Sequence, residues 1–252
     1  FDKTKEEHEK YYEKVRQAYM KIWDRVGIGN ETYLTFASGG SFSKFSHEFQ
    51  TICGTGEDTI YLDREKKIAV NKEVYNDDVL EELGIRKENL EEVKAIEVGN
   101  IFPLGTRFSE ALGLYYTDES GKKKPVVMGS YGIGPGRVLA TIVELKHDEK
   151  GIIWPKNVSP YQIMLIGLNL EKHEVKKQTE ELYEKLLSEN IDVLYDDRED
   201  ITAGQKFADC DLIGIPYRAV ISQKTKGLIE LKKRNEKESS LVSFEELLTQ
   251  IK

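Results

Sequence analysis

Apolar residues near the start of the chain recur every three or four positions, the spacing that places them on one face of a helix. They are Tyr12, Val15, Tyr19, Ile22 and Val26, and Gly27 follows them as a helix stop. Beyond a glycine- and serine-rich stretch, shorter apolar segments separated by turns predict strands at 46–52, 59–62, 68–70, 93–98, 111–116 and 126–129. A short helix is expected at 79–83 and a longer one from Pro135. These elements predict an α+β domain built on an antiparallel sheet.

The pattern changes between residues 151 and 160, where Trp154 and two prolines interrupt the helical spacing. Further on, strands are predicted at 162–167, 191–195, 217–222 and 228–231, and helices at 172–189, 204–212 and 244–251. Alternating strands and helices indicate βαβ units on a mixed, largely parallel sheet. We therefore expect two domains, an α+β domain at 1–151 and an α/β domain at 152–252.

Composition narrows the class of protein. The 252 residues are 33% charged and 39% apolar, enough apolar material for packed cores. Lys and Arg number 37 against 45 Asp and Glu, a formal charge of −8, so nucleic acid is expected to bind only at a few shaped positions. Two cysteines, Cys53 and Cys210, form no metal or disulfide pattern. With no membrane-spanning run or signal peptide, we expect a cytoplasmic protein without membrane or DNA partners.

The most informative segment runs from Met128 to Arg137 and reads M-G-S-Y-G-I-G-P-G-R. It predicts a strand that passes through closely spaced glycines into a helix. Glycines let a ligand approach the backbone, and Arg137 supplies a planar charge for a base or a phosphate. The segment matches neither G-x-G-x-x-G nor a P-loop. From the residues alone, a nucleotide loop and a plain strand-to-helix turn both remain open.

A second cluster, S-H-E-F-Q, begins at Ser46. Strand alternation places His47 and Phe49 on one face, and Ser46, Glu48 and Gln50 on the other. A buried Glu48 needs a donor such as a substrate ammonium group. The segment lacks the second histidine of an H-E-x-x-H zinc motif, and no metal site is expected from the remaining histidines, which are His8, His147 and His173.

A third cluster, D-D-R-E, starts at Asp196 after a predicted strand and is followed by T-A-G-Q-K-F-A-D at the start of a helix. Ligands bind beyond the carboxyl ends of parallel strands, where this turn is expected. Arg198 is suited to reading base edges, and Lys206 at a helix start is suited to phosphate. The alternative is a solvated charged loop.

Together these segments resemble the class II prolyl-tRNA synthetases of bacterial type. M-G-S-Y-G-I-G-P-G-R-V-L-A resembles their motif 3, and S-H-E-F-Q with G-E-D-T-I resembles the strand region before it. E-V-G-N-I-F-P-L-G-T-R-F-S-E-A-L resembles their substrate-pocket segment. W-P-K-N-V-S-P-Y-Q-I resembles the junction to the anticodon-binding domain, and D-D-R-E with A-G-Q-K-F-A-D-C-D-L-I-G-I-P-Y-R resembles that domain's signature. The resemblance covers nearly the whole chain.

The resemblance implies a proline–tRNA ligase with ATP and Mg²⁺ as the substrate complex, prolyl-adenylate as intermediate, tRNA for proline as partner and a homodimer in the complete enzyme. Arg137 would be catalytic and hold ATP through its adenine and γ-phosphate, above a floor of Gly132, Gly134 and Gly136. The proline pocket would comprise Ser46, His47, Glu48, Asn100, Phe102 and Ser130. The anticodon surface would comprise Asp197, Arg198, Lys206 and Asp209.

The sequence also departs from that family. Nothing in it matches motif 1 or motif 2, and it begins at Phe1, so we expect the C-terminal part of an enzyme, inactive alone. The editing insertion is replaced by the short stretch 54–97. Ser130 stands where many relatives have cysteine, and Asn100 and Pro103 where many have histidine and glutamine. Two alternatives remain: a threonyl, histidyl or glycyl synthetase, and a non-catalytic synthetase-like RNA-binding protein.

Overall fold

The computed structural model describes residues 1–41 and 43–252 and separates into two compact units, Phe1–Leu145 and Lys146–Lys252. The second unit starts before the boundary expected at residue 152. The reason is local: the guanidinium of Arg234 binds the carboxylate of Asp148 at 2.6 and 2.8 Å and the carbonyl of Gly151 at 3.2 Å. None of the described helices is long and apolar enough to cross a membrane.

The first unit contains four α-helices and eight strands within the described residues. In chain order they are α1 Lys5–Arg25, β1 Thr32–Ser38, β2 Phe45–Ile52, β3 Asp58–Asp63, β4 Ile68–Asn71, α2 Asp77–Glu82, β5 Glu91–Gly105, α3 Arg107–Ala111, β6 Tyr115–Thr117, β7 Lys123–Pro125, β8 Met128–Ile133 and α4 Pro135–Leu145. Strand β1 was not predicted. The strand predicted at 111–116 is wrong in its first half, because helix α3 extends to Ala111 and ends through Gly113, whose φ is +70°.

Six strands form the main sheet of this unit, in the order β2-β1-β4-β3-β5-β8. Strand β2 also pairs with β5, so that β2, β1, β4, β3 and β5 close into a ring. The pairing of β1 with β4 is parallel, so the sheet is not antiparallel throughout, although the other pairings in it are. A fully buried apolar cluster packs on one side of these strands and consists of Ile60, Leu62, Ala69 and Ala95.

Helix α1 covers the opposite face of β2 and β5. Thr4 caps the helix by accepting a hydrogen bond from the Glu7 amide at 3.1 Å. Trp23, which has no exposed surface, packs its ring 5.8 Å from that of Phe49 on β2. A side chain at Gly99 on β5 would lie 3.1 Å from Trp23 and 3.0 Å from the carbonyl oxygen of Gly132. This close approach explains a glycine in the middle of a long strand.

The second unit contains a five-stranded sheet, a two-stranded sheet and three α-helices within the described residues. Its elements are β9 His147–Asp148, β10 Gly151–Ile152, β11 Ile163–Gly167, α5 His173–Ser188, β12 Val193–Asp196, α6 Ala203–Ile213, β13 Tyr217–Ile221, β14 Ile229–Lys233, β15 Ser240–Val242 and α7 Phe244–Ile251. The sheet order is β12-β11-β13-β14-β15. Strand β11 is parallel to β12 and β13, and the remaining two pairings are antiparallel. The predicted α/β class is confirmed with a mixed sheet, and the carboxyl ends of β11, β12 and β13 meet at one edge.

Candidate functional site

Three facing residues form a row across strands β2, β5 and β8. Glu48 lies opposite Asn100 in one pairing, and Asn100 lies opposite Gly132 in the next. Facing residues of paired strands point to the same side of a sheet, so the row lies on one face. It is the face away from α1, since Phe49, the neighbour of Glu48, packs on that helix. We call Glu48, Asn100 and Gly132 the polar floor.

Two side-chain amides hold Glu48 in place. Gln50 and Asn71 donate to its Oε2 at 2.9 and 3.0 Å, and Gln50 also donates to Asp58 at 2.6 Å. Burial raises the pKa of Glu48, the two amide hydrogen bonds lower it, and the negative charges of Glu97 and Asp58 raise it further. Both amides use Oε2, so among the described residues Oε1 keeps its capacity to accept. A half-buried carboxylate of this kind is stabilised by a cationic donor.

Glu97 belongs beside the polar floor, although the sequence analysis missed it. Simple alternation along β5 would put residues 97 and 100 on opposite faces. The pairing with β2 skips Val98, because Phe49 faces Gly99 and Gln50 faces Glu97. This bulge turns Glu97 to the floor, where its Oε1 accepts a hydrogen bond from Asn100 at 2.8 Å. The floor thus carries a second carboxylate.

Arg137 lies in the first turn of α4, immediately after the glycine-rich strand β8. Its side chain is 51% exposed, and its NH1 group binds the carboxylate of Glu57 in the turn before β3. A side chain at Gly132 would lie 3.0 Å from Oδ1 of Asn100, whereas one at Gly136 would meet nothing within 4 Å. The exposed Gly136 therefore leaves open space beside the helix start, which a ligand can occupy.

The other residues predicted for the proline pocket do not all lie together. Phe102 and Ser130 face each other in the β5–β8 pairing, on the same side as the polar floor. Ser46 is fully buried and donates its hydroxyl to the carbonyl of Ser38 at 2.8 Å. It therefore presents no group to a ligand at the surface. His47 points to the opposite face.

The side chain of His47 lies on the side of the sheet that α1 covers. Its Nδ1 lies 2.9 Å from the hydroxyl of Tyr12, and its ring packs against Phe36. Burial, with a contribution from the charge of Arg16, lowers the pKa of His47 to about 4. His47 also lines a cavity of about 840 Å³ on this side, together with Leu34. The structure therefore separates His47 from Glu48, its neighbour in the sequence.

A second candidate site lies where β11, β12 and β13 end. A cavity of about 360 Å³ at this edge is lined by Gly167, Arg198, Lys206 and Ser222, among others. Arg198 donates from Nε and NH2 to both oxygens of Asp196, at 2.9 and 2.7 Å, and from NH2 to Asp209 at 2.7 Å. This pairing with Arg198 lowers the pKa of Asp196 and raises that of Arg198. The guanidinium is thus fixed at the cavity, and Asp197 is exposed beside it.

Lys206 is the unexpected member of this site. Its side chain is 2% exposed, and its ammonium donates to the carbonyls of Gly167 and Asp196 at 3.0 and 3.2 Å. The Asp196 carboxylate lies 3.7 Å away. An ammonium bound in this way ties the ends of β11 and β12 together. The arrangement favours a structural role for Lys206 over the phosphate contact suggested by its position at a helix start.

Comparison with known proteins defines the class. Residues 2–146 match the model described as "tRNA synthetase class II core domain (G, H, P, S and T)", and residues 162–252 match "Anticodon binding domain". The first match covers more than half of the chain. The chain therefore belongs to the class II tRNA synthetases, and the family resemblance found in its motifs is confirmed.

Curated relatives point to one member of that class. Three of them are each named "Proline--tRNA ligase" and come from Persephonella marina, Bacillus pumilus and Dehalococcoides mccartyi. The chain is 45% identical to the first over 162 residues, 49% to the second over 160 and 48% to the third over 160. These regions are 63–64% of this chain but 28–29% of the relatives, so the chain spans less than a third of their length.

Proposed function

We propose that the chain supplies part of the catalytic core and the anticodon-binding domain of a proline–tRNA ligase, which joins proline to its tRNA through prolyl-adenylate. The names of the relatives support this choice within the class. The structural observation that carries it is the polar floor, where a carboxylate with an accepting oxygen lies in one row with Asn100 and Gly132 across three strands. Such a surface suits an amino acid at one end and a nucleotide at the other.

Glu48 is the proposed acceptor for the substrate ammonium group. Proline carries a secondary ammonium with two N–H donors, and a half-buried carboxylate held by two amides binds such a cation without rearranging. Phe102 and Ser130, on the same face, supply an apolar surface and a small hydroxyl beside it. His47 and Ser46 then contribute to the packing of β2 and do not contact proline.

Arg137 and the glycine-rich segment are the proposed nucleotide end. In the reaction the carboxylate of proline attacks the α-phosphorus of ATP and pyrophosphate leaves, so the protein's main tasks are positioning and charge stabilisation. Mg²⁺ brought in with ATP takes oxygen ligands, commonly one or two carboxylates plus phosphates. The side-chain oxygens of Asn100 in the floor and of Glu97 beside it fit this need. No group of three or more His, Cys, Asp or Glu side chains among the described residues could hold a metal ion by itself.

The strand-end cavity of the second unit is the proposed anticodon surface. Arg198, fixed by Asp196 and Asp209, and exposed Asp197 offer donors and acceptors that can read base edges. Lys206 would act indirectly by holding the strand ends that carry them. Homodimerisation of the complete enzyme is part of the same proposal and rests on the family alone.

A chimera tests the proposal. The chain replaces the matching region of the Bacillus pumilus relative, and ATP–pyrophosphate exchange is measured with proline, threonine, histidine or glycine. We expect exchange with proline alone, and none from the isolated 252-residue chain, which lacks motif 2. Exchange with another of these amino acids would support the alternative synthetases. A chimera that melts cooperatively and binds ATP but exchanges with none of them would refute the proposal.

A further inference from the structure

The turn between β2 and β3 is tightly fixed. The amide of Cys53 donates to the carbonyl of Lys94 at 3.0 Å, and the amide of Gly56 donates to Cys53 at 3.0 Å. A side chain at Gly56 would lie 2.2 Å from the carbonyl oxygen of Ala95, so no other residue fits without moving the backbone. The turn is thus fastened to β5 on both sides of Thr55. We call residues 53–57 the clamp turn.

The clamp turn binds one face of α4 at two points. Thr55 donates its hydroxyl to Glu144 at 3.1 Å, and Glu57 accepts from NH1 of Arg137. Residues 137 and 144 are seven apart and therefore lie two turns apart on the same side of the helix. Thr55 and Glu57, two residues apart in the turn, thus contact positions two helical turns apart on α4. The contact between Glu57 and Arg137 is one part of a two-point docking, unlike an isolated surface pair.

We propose that Glu57 is a positioning residue that holds the guanidinium of Arg137 in the orientation in which it meets the nucleotide. The inference rests on the proposed function, since it gives Arg137 the polyphosphate of ATP as its ligand. Glu57 contacts NH1, so among the described residues the Nε and NH2 side of the guanidinium keeps its capacity to donate. A guanidinium can bind a carboxylate on one edge and a phosphate on another because its five N–H donors lie in one plane.

The opposite interpretation is that Glu57 competes with the nucleotide for Arg137. A competing carboxylate has to move away when phosphate arrives. Glu57 follows directly on Gly56, which packs against β5 with no space to spare. Although partial burial works to raise it, a backbone hydrogen bond and the Arg137 guanidinium keep the pKa of Glu57 below its usual value, so the carboxylate stays charged at neutral pH. A charged carboxylate whose backbone is held beside Arg137 favours holding over competition.

The first test needs no nucleotide. In the full 252-residue chain, ¹⁵N relaxation of the Arg137 Nε–H group reports how ordered the guanidinium is, and loss of the signal in Arg137→Lys assigns it. We expect Glu57→Gln to give Arg137 the mobility of a free surface arginine. The matched control is Glu91→Gln, which breaks the comparably exposed Arg64–Glu91 pair in the same unit and leaves Arg137 unchanged. An equally ordered Arg137 in Glu57→Gln overturns the inference.

The second test measures binding of Mg²⁺-ATP and of AMP to the same variants by NMR titration. We expect Glu57→Gln to weaken ATP about two- to fivefold, to leave AMP unchanged, and to have no effect in an Arg137→Ala background. Tighter ATP binding in Glu57→Gln would mean competition, and unchanged ATP binding would mean no role, so either overturns the inference. If the unaltered chain does not bind ATP more tightly than AMP, the proposed nucleotide role of Arg137 fails, and the relaxation test still decides whether Glu57 holds the side chain.

Discussion

Replacing Lys206 with methionine distinguishes a structural role of its ammonium group from a role as a phosphate contact. Methionine keeps most of the aliphatic volume and removes the charge. The change leaves two buried carbonyls, those of Gly167 and Asp196, without their donor, and takes away the cation 3.7 Å from the Asp196 carboxylate. Each unsatisfied buried acceptor costs about 1–3 kcal/mol. Arg198 still neutralises Asp196, so we expect a total loss of about 2–4 kcal/mol from the unfolding free energy of the second unit.

Urea unfolding followed by tryptophan fluorescence measures this loss. The chain has two tryptophans, Trp23 in the first unit and Trp154 in the second, so a Trp23→Phe background makes Trp154 the reporter. Trp154 is sensitive to its unit's fold because its indole donates to the carbonyl of Ile213 at 2.9 Å. The control is Lys176→Met, which removes an exposed lysine paired with Glu199 and leaves the midpoint nearly unchanged. A Lys206→Met loss no larger than the control's would refute the structural assignment.

Three further predictions concern single side chains. In the chimera, Arg137→Ala should slow proline-dependent exchange about 100-fold or more, as expected when a donor that stabilises charge on the reacting polyphosphate is lost, while tRNA binding measured by filter retention stays the same. Arg198→Ala should reduce discrimination between cognate and anticodon-swapped tRNA about tenfold, measured as a binding ratio at two salt concentrations. The pKa of His47 is lowered to about 4 in the folded chain, against about 6.5 in the unfolded chain. The neutral imidazole therefore costs the folded state nothing above pH 6.5, and the free energy of unfolding decreases as the pH falls from 6.5 toward 4. Urea unfolding followed by Trp23 should therefore show a larger stability loss between pH 7 and 5 in the unaltered chain than in His47→Gln.

The sequence predicted most elements of the second unit because each has a strong local signal. Strand β11 is apolar throughout, and α6 begins at a Thr202 cap and ends at Gly214 with φ of +82°. Strand β15 has three residues and was not predicted, because so short a segment has no periodicity of its own. The parallel pairing of β1 with β4 was not predicted either, because strand pairing depends on tertiary contacts and not on the local pattern.

The orientation of the candidate site residues was predicted where it follows strand alternation and was missed where alternation fails. Glu48 and Phe49 fall on opposite faces, as strand periodicity requires. Glu97 reaches the floor only through the bulge at Val98, and Gly99 alone does not tell which neighbouring side chain a bulge turns. Lys206 was assigned from its place at a helix start, whereas its burial against two carbonyls from distant strands favours a structural role. The residues whose surroundings the sequence analysis did not foresee are those whose contacts are long-range.

Both candidate sites pair their arginine with carboxylates from another element. Arg137 of α4 meets Glu57 of the clamp turn, and Arg198 meets Asp209 of α6 as well as Asp196. In a chain with a formal charge of −8, such pairing leaves little unbalanced positive charge to attract phosphates at a distance. Under the proposed function, affinity for ATP or tRNA then has to come from the few donors whose direction the carboxylates fix. Binding should therefore depend less on salt than in a basic RNA-binding protein, and more on the geometry of these pairs.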